Sequence, residues 1–296
     1  MMKNIGILCC LILTLCAGIK QSLAEEVRLN IKNLSHGDFN AIGELTLPEN
    51  DGAAGQGKLV LITHGTLAHH AMEIIANAQA LLEEEGIASL AISLSLGVND
   101  RRGLYDCNQP HQHTHEDAQH EIAAWLDWLG SAYPQYDQVF MMGHSRGGNQ
   151  TAQYLANFDH NQVKGGILLA PMIWEGQSAA QQQRLSKIKG NSPSDMQPVD
   201  QLLYCPDAVA SALAIHSYNA DDPNLDTPSL LNQVKKPVLV IAAADDNVVK
   251  QLENAVRTRT QNDLVEMVSI MDADHMFLDF YIEDAMVEAV EFISNH

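Results

Sequence analysis

The sequence predicts an α/β fold with a mostly parallel central sheet flanked by helices. Apolar runs typical of buried strands alternate with amphipathic helical segments along most of the 296 residues. A Gly-x-Ser-x-Gly motif, residues 143–147, stands between one such strand and one such helix. The alternation breaks once, between about residues 174 and 233, where a polar stretch with several prolines predicts an inserted cap.

The N-terminal residues differ in composition from everything that follows them. After one lysine, an almost continuous apolar run covers residues 5–19, and the small residues Ser22 and Ala24 mark a cleavage point after Ala24. We therefore expect residues 1–24 to be a signal peptide for the periplasm or the exterior, which leaves residues 25–296 as the mature domain. The alternative is an uncleaved membrane anchor, although about 15 apolar residues are fewer than a span requires.

The elements of the mature chain follow in a regular order. Two strand-like segments open it, and a loop rich in small and acidic residues comes next, over 49–57. Strands are then predicted over 59–63, 88–94, 139–142 and 166–170, and helices over 72–85, 116–128 and 146–158. Within the insertion, residues 207–215 are expected to form a weak helix. After the insertion we predict a strand over 237–243, a helix over 248–259, a strand over 265–271 and a C-terminal helix.

The Gly-His-Ser-Arg-Gly motif carries the strongest chemical signal in the chain. A serine on a sharp turn between strand and helix is exposed, and side chains in place of Gly143 and Gly147 would collide with the neighbouring strand and helix. The N-terminus of the helix also favours negative charge that develops beside the serine. We therefore predict that Ser145 is a catalytic nucleophile. The alternative is a glycine-rich turn whose serine is inert.

A serine nucleophile needs a general base, and the base needs an acid that orients it. His275 follows the strand over 265–271 and is the histidine, among thirteen, that we expect at the same sheet edge as Ser145. Asp245 and Asp246 both follow the strand over 237–243. Asp246 is preferred as the acid because it lies further into the loop, directly before the predicted helix.

Two further carboxylates near these segments are given other roles. Glu175 stands just after an earlier strand and is a more distant alternative for the orienting acid. Asp274 is adjacent to His275 and is expected to fix the conformation of its loop.

The chain order of this serine, aspartate and histidine, with a His-Gly pair after an early strand, resembles the α/β-hydrolase superfamily over nearly all of the mature chain. The resemblance implies an oxyanion hole formed by two backbone N–H groups. One belongs to Thr66, which follows His64-Gly65, and the other to Arg146. The chain lacks the Gly-Gly-Gly run of one lipase and esterase subgroup, which weakens any inference about bulky alcohols.

These parts predict a serine hydrolase, most simply a carboxylic ester hydrolase. Ser145 forms the acyl-enzyme, His275 acts as general base and acid, and Asp246 orients His275. The expected substrate is a small-molecule ester or a related acyl compound, and the chemistry needs no cofactor. Thioesters, amides and lactones remain open. Another class of function, a non-catalytic envelope protein that binds ligands on the same fold, also remains open.

A second histidine-rich segment offers a rival chemistry. His113-x-His115-x-Asp117 partly resembles the metal motif of metallo-β-lactamase-like hydrolases, although an alanine stands where that motif has its next histidine. A metal-dependent hydrolase that uses His111, His113 and His115 is therefore an alternative. Thr114-x-x-Asp117 instead favours a structural explanation, because this spacing is typical of a helix capping box.

The charge of the chain excludes some classes of binding partner. The formal net charge of −20 argues against binding to nucleic acid or to anionic lipid. After signal cleavage no apolar stretch is long enough for stable membrane insertion.

Cleavage would also leave two cysteines, Cys107 and Cys205, in an oxidising compartment. They either form a disulfide between cap and core or remain separate thiols, and the sequence leaves both possibilities open.

Overall fold

The computed structural model describes residues 23–35, 37–49 and 55–296. Residues 1–22, most of the predicted signal peptide, lie outside the described residues. In the described part of the chain, no helix combines the length and the apolar composition needed to cross a bilayer.

An eight-stranded sheet forms the centre of the molecule. Its strands are β1 (Leu23–Leu34), β2 (Gly37–Leu47), β3 (Lys58–Thr63), β4 (Ala88–Ser93), β5 (Gln138–His144), β6 (Val163–Leu169), β9 (Val238–Ala243) and β10 (Val265–Ile270). They lie in the order β1-β2-β4-β3-β5-β6-β9-β10. The pairs β1–β2 and β2–β4 are antiparallel, and every other neighbouring pair is parallel. The predicted α/β fold is confirmed.

Helices cover both faces of this sheet. They are α1 (Glu73–Glu84), α2 (Asp117–Ala132), α3 (Arg146–Asn157), α7 (Leu252–Arg259) and α8 (Tyr281–Asn295). Trp125 of α2 and Leu155 of α3 belong to one cluster of buried apolar side chains. Ile75 of α1 and Ile293 of α8 belong to a second cluster. Each amphipathic helix thus buries its apolar stripe against the sheet, as its sequence period predicts.

The segment between β6 and β9 has its own small elements. They are α4 (Ala179–Lys187), β7 (Met196–Leu202), β8 (Cys205–Ser211), α5 (Ala212–Asn219) and α6 (Thr227–Leu231). Strands β7 and β8 form an antiparallel hairpin. The helix expected over 207–215 is wrong in its first half, because Ala208 and Ala210 are buried while Val209 between them is exposed. This alternation is the period of a strand.

Two connections hold this hairpin against the long loop between β4 and α2. Cys107 of the loop and Cys205 of β8 form a disulfide, with their Cα atoms 5.2 Å apart. The N–H of His111 donates to the carbonyl of Val209 at 2.8 Å, and the N–H of Ser211 donates to that of His111 at 2.9 Å. Of the two possibilities left open for the cysteines, the structure has the disulfide. The hairpin and the loop therefore form one connected wall beside the carboxyl ends of the central strands.

Candidate active site

Ser145 occupies the turn between β5 and α3, in a backbone conformation that a non-glycine residue adopts at a cost. Its φ and ψ are 54° and −118°, and such residues cost about 1–3 kcal/mol and cluster at functional sites. A Cβ on Gly143 would collide with the backbone of Gly147, and a Cβ on Gly147 would collide with the carbonyl of His64. The two glycines therefore permit the close packing that holds Ser145 at this turn, as predicted.

The side chains of Ser145, His275 and Asp246 meet at the carboxyl edge of the sheet. The Nε2 atom of His275 lies 3.0 Å from the Oγ atom of Ser145. The Nδ1 atom of His275 lies 2.7 Å from the Oδ2 atom of Asp246. With an ionised carboxylate, Nδ1 carries the proton and Nε2 is left to accept one from the serine. The side chains of Asp246 and His275 are only 3% and 11% exposed, so both hydrogen bonds lie mostly out of water.

Asp246 is held in its ionised form. Burial by itself raises the pKa of Asp246, but hydrogen bonds from His275 and from the backbone N–H groups of Val249 and Val248 outweigh burial and lower this pKa below its ordinary value. The two backbone groups donate to Oδ1 at 2.8 and 2.6 Å. The carboxylate thus uses one oxygen to fix its own loop and the other to hold His275.

The other carboxylates that the sequence offered lie elsewhere. Asp245 is exposed, and its N–H donates to the carbonyl of Ala273 at 2.9 Å. The Oδ1 atom of Asp274 accepts from the N–H groups of Met276 and Leu278 at 3.0 and 3.2 Å. Asp274 therefore fixes the loop that carries His275, as expected. Glu175 is exposed on the loop after β6.

Two buried histidines, which the sequence did not single out for this role, support the loops of the site. His144 Nε2 donates to the carbonyl oxygen of His275 at 2.9 Å. Burial lowers the pKa of His144 to about 4, so the ring is neutral at neutral pH. His64 Nδ1 donates to the carbonyl of Gly65 at 2.8 Å, and its Nε2 accepts the N–H of Leu94 at 3.0 Å. The two rings thus anchor the backbone on either side of Ser145.

A family model described as "Serine aminopeptidase, S33" matches residues 56–222, more than half of the chain. The chain belongs to this family. It is a hydrolase of the α/β-hydrolase superfamily. Among curated proteins, none matches it.

Solved structures that are similar to this hydrolase share little of its sequence. Est1E from Butyrivibrio proteoclasticus is 18% identical, with a TM-score of 0.61, and the match covers 90% of this chain and 98% of that one. The esterase Pf2001 from Pyrococcus furiosus is 15% identical, with a TM-score of 0.62 and coverage of 93% and 91%. A dienelactone hydrolase from Anabaena variabilis is 17% identical, with a TM-score of 0.58 and coverage of 93% and 99%. At these identities the likeness shows the fold alone.

The two expected oxyanion-hole residues of the hydrolase lie on either side of Ser145. Arg146 is the first residue of α3, so its N–H has no carbonyl partner within the helix. Thr66 follows Gly65, where an added Cβ would lie 3.4 Å from the Cβ of Ser145. The Nε atom of Arg146 donates to the Oγ1 atom of Thr66 at 3.0 Å, which ties the two segments together.

A largely apolar cavity opens directly onto Ser145 and His275 of the hydrolase. Its volume is about 400 Å³, toward the lower end of the range of ~300–1,000 Å³ for small-molecule sites. The side chains that give it its apolar character are Ala68, Met72, Ile74, Ile75, Leu104, Tyr204, Val248 and Met276. Leu104 and Tyr204 stand shortly before Cys107 and Cys205 in the sequence, so the connected loop and hairpin form one wall of this cavity.

The histidines of the rival metal hypothesis lie buried in the hydrolase, and most of their ring nitrogens contact polar groups of other side chains. His113 Nδ1 hydrogen-bonds with the hydroxyl of Tyr218 at 2.7 Å, and its Nε2 lies 3.2 Å from His111 Nδ1. His115 Nε2 donates to the Oδ1 atom of Asn149 at 2.8 Å. Within residues 23–35, 37–49 and 55–296, no group of three or more His, Cys, Asp or Glu side chains is arranged to hold a metal ion.

Proposed function

We propose that the chain is a carboxylic ester hydrolase that works through an acyl-enzyme on Ser145. His275 acts as general base and then as general acid, and Asp246 holds the imidazole in the required tautomer. The observation that carries the proposal is the chain of two hydrogen bonds, 3.0 Å from Ser145 to His275 and 2.7 Å from His275 to Asp246. Nucleophile, base and orienting acid in this geometry are the general requirement for serine-based acyl transfer.

In the first half-reaction the Ser145 Oγ atom attacks the ester carbonyl carbon while its proton passes to His275 Nε2. The carbonyl oxygen becomes an oxyanion, which the backbone N–H groups of Thr66 and Arg146 stabilise. Each such donor contributes about 3–4 kcal/mol to the lowering of the barrier. The C–O bond to the alcohol then breaks, and His275 returns its proton to the departing alcohol.

In the second half-reaction water attacks the acyl-enzyme and gives a proton to His275. The tetrahedral intermediate collapses, the bond to Ser145 Oγ breaks, and His275 reprotonates the serine. The free carboxylic acid leaves, and the enzyme returns to its starting state. The ionised form of Asp246 supports both halves, because its charge stabilises the imidazolium that forms each time.

The choice of an ester rests on the apolar cavity and on the structural neighbours. A cavity of about 400 Å³ beside Ser145 suits a small or medium acyl group. The similar structures include one described as an esterase and one as a dienelactone hydrolase, both of which are names for carbonyl–oxygen bond cleavage. These names support an ester in preference to the peptide bond that the description of the family model suggests.

The proposal is tested with para-nitrophenyl esters of increasing acyl length and with an aminoacyl para-nitroanilide as the peptide-like comparison. The wild type is expected to hydrolyse the shorter esters and to leave the anilide intact. Ser145→Ala is expected to lose activity by up to about 10⁶-fold in kcat, because nucleophile and base act as a unit. Hydrolysis of the anilide in preference to every ester would contradict the choice of substrate bond.

The same assay distinguishes the metal-dependent alternative from the serine mechanism. Treatment with a strong chelator is expected to leave ester hydrolysis unchanged, and a serine-directed phosphonate is expected to abolish it. Loss of activity with the chelator alone, restored by zinc, would favour the metal-dependent hydrolase over the serine mechanism.

We also propose that the mature protein works in the periplasm or outside the cell. The predicted signal peptide supports this, and so does the disulfide between Cys107 and Cys205, because oxidising compartments maintain such bonds. The test is the intact mass of the protein after expression of the full sequence in a secreting bacterial host. A periplasmic protein that begins at Glu25 is expected, and a full-length cytoplasmic product with reduced cysteines would contradict the proposal.

A further inference from the structure

Arg146 directly follows Ser145, and its positive charge has no acidic partner among the described residues. Its guanidinium lies over the ring of Tyr218, 5.4 Å from the ring centroid. The Nε atom donates to the hydroxyl oxygen of Thr66 at 3.0 Å, and Nη1 lies 3.4 Å from Nδ1 of His115. Among the ion pairs of the described residues, none involves Arg146.

A second buried arginine shows what a purely structural guanidinium looks like in this fold. Arg101 donates from Nε and Nη2 to the carbonyl of Leu94 at 2.9 and 2.7 Å, and from Nη1 to the carbonyl of Gly103 at 2.6 Å. All three of its nitrogens therefore have oxygen acceptors within the protein. Arg146 has one oxygen acceptor, and both of its terminal nitrogens lack an oxygen partner among the described residues.

Withdrawing a cation from water without a compensating anion costs free energy. Burial lowers the pKa of Arg146, which reflects this cost. The free energy is recovered when an anion binds the exposed part of the guanidinium. Arginine is suited to this because its terminal nitrogens form two parallel hydrogen bonds with a carboxylate.

The place for such an anion is a second cavity, which shares Ser145 and Thr66 with the apolar cavity. It has a volume of about 260 Å³ and is lined by Ser145, Thr66 and Arg146, with Lys250 and Glu175 also present. Lys250 and Glu175 are exposed and of opposite charge, so Arg146 supplies the unbalanced positive charge. Because Ser145 lines both cavities, a substrate bound at Ser145 is within reach of both the apolar cavity and this one.

We propose that Arg146 binds a free carboxylate of the substrate in this second cavity, so that the preferred substrates are esters with one apolar part and one carboxylate. This inference rests on the proposed ester hydrolysis at Ser145. A single carboxylate fits better than a more highly charged group, because the protein carries a net charge of −20 and repels anions in proportion to their charge.

Two matched pairs of esters test the proposal. In the first pair the charge is in the acyl part: monoethyl adipate is compared with ethyl adipamate, its neutral amide counterpart. In the second pair the charge is in the alcohol part: para-butanoyloxybenzoate is compared with para-butanoyloxybenzamide. The wild type is expected to hydrolyse the anionic member of at least one pair with a kcat/KM about 10- to 100-fold higher, as a charge-assisted hydrogen bond implies. The pair that shows this preference identifies whether the acyl part or the alcohol part of the preferred substrate carries the carboxylate.

Variants then assign the preference to Arg146. Arg146→Met is expected to reduce the anionic-to-neutral ratio of kcat/KM by at least about tenfold, mainly through KM of the anionic ester, and Arg146→Lys to restore part of it. Arg257→Met removes the same charge from an exposed surface position and is expected to keep the wild-type ratio.

Three outcomes would overturn the inference. The first is a wild type that hydrolyses both members of each pair equally or prefers the neutral ones, a result that needs no variant. The second is an Arg146→Met variant that lowers kcat equally for both members, which would mean that Arg146 only positions Thr66. The third is a loss of the preference in Arg257→Met. If ester hydrolysis occurs but depends on Ser145 without any carboxylate preference, the proposed function stands and only this inference fails.

Discussion

Two regions of this molecule gather imidazole rings and polar side chains, and they differ in what surrounds those rings. His275 lies between Ser145 and Asp246 at the mouth of an apolar cavity. His111, His113 and His115 are each 0% exposed, and the rings of Tyr105 and His111 pack with their centroids 4.6 Å apart. In the first region Ser145 and His275 line a cavity, whereas in the second region the rings hydrogen-bond with other buried side chains.

Under the proposed mechanism, the position of a histidine in the fold is a better guide to its chemistry than the density of histidines in the sequence. The segment 111–115 has three histidines in five residues, whereas His275 stands alone after its strand. Parallel strands bring their carboxyl ends to one edge of the sheet, which is where ligands bind in such folds. His275 follows β10 at this edge and lines the cavity, while the three clustered histidines, in the loop between β4 and α2, are fully buried.

The largest expected effect separates Asp246 from its neighbour Asp245. Asp246→Asn is expected to lower kcat on a short ester by about 10⁴-fold, because the amide favours the wrong tautomer of His275. Asp245→Asn, which alters an exposed side chain one residue away, is the matched control and should change kcat by only a few-fold. Steady-state kinetics of both variants measures the difference, and the opposite ranking would mean that Asp245 orients the histidine.

Removal of the disulfide between Cys107 and Cys205 tests the structural role of the second region. It joins residues separated by 98 positions, and the chain-entropy estimate for such a loop is about 4–5 kcal/mol. Replacing Cys107 and Cys205 together by serine is therefore expected to lower the free energy of unfolding by an amount of this order, measured by urea denaturation. Wild-type protein that has been reduced and alkylated should unfold at the same urea concentration as the double variant. Unfolding of both at the wild-type concentration would show that the bond contributes nothing.

The pH dependence of stability tests whether His111 is buried in its neutral form. Burial lowers the pKa of His111 to about 4, whereas a histidine in an unfolded chain has a pKa of about 6.5. Between these values the unfolded state binds the proton more readily, so stability is lost as the pH falls from about 6.5 to about 4. The loss amounts to about 1.4 kcal/mol per pH unit for one such group.

His111→Phe removes the imidazole that binds this proton in the unfolded state. The variant is expected to lose stability between pH 6.5 and pH 5 less steeply than the wild type, by about 1.4 kcal/mol per pH unit. Urea denaturation at several pH values measures both slopes, and slopes that coincide would contradict a buried neutral His111.

The smallest expected effect concerns the start of α2. Thr114 and Asp117 form reciprocal hydrogen bonds, from the N–H of Thr114 to Asp117 Oδ2 at 2.7 Å and from the N–H of Asp117 to Thr114 Oγ1 at 3.3 Å. Thr114→Ala is expected to lower the free energy of unfolding by about 1 kcal/mol, and Thr114→Ser to keep most of it. Equal stability of wild type and Thr114→Ala in urea would remove the capping explanation for this segment.

The sequence predicted that Ser145, His275 and Asp246 lie together, because local pattern and chain order decide where they stand in the fold. Their catalytic roles stay a prediction. Ser145 was found from its motif. Side chains in place of Gly143 and Gly147 would collide with the neighbouring backbone, as the motif predicts. His275 was found because it follows the last strand of the sheet. The choice of Asp246 over Asp245 agrees with the observed hydrogen bond to His275, which depends on how the loop turns after β9.

What the sequence missed depends on contacts between distant segments or on loop geometry. His144 supports His275 across 131 positions of the chain, and no periodicity reports such a pair. The helix predicted from residue 248 begins only at Leu252. The start is delayed because the N–H groups of Val248 and Val249 donate to Asp246 and Gln251 has a left-handed φ of 60°. The lack of a described carboxylate beside Arg146 likewise became visible only in the fold.

Covalent labelling of Ser145 tests the central claim most directly. A fluorophosphonate probe reacts with a serine hydroxyl that a neighbouring base activates, and proteolysis followed by mass spectrometry locates the adduct. We predict one adduct, on the peptide that contains Ser145, with labelling abolished in Ser145→Ala and slowed by orders of magnitude in His275→Ala. Labelling that persists undiminished in Ser145→Ala would contradict the account.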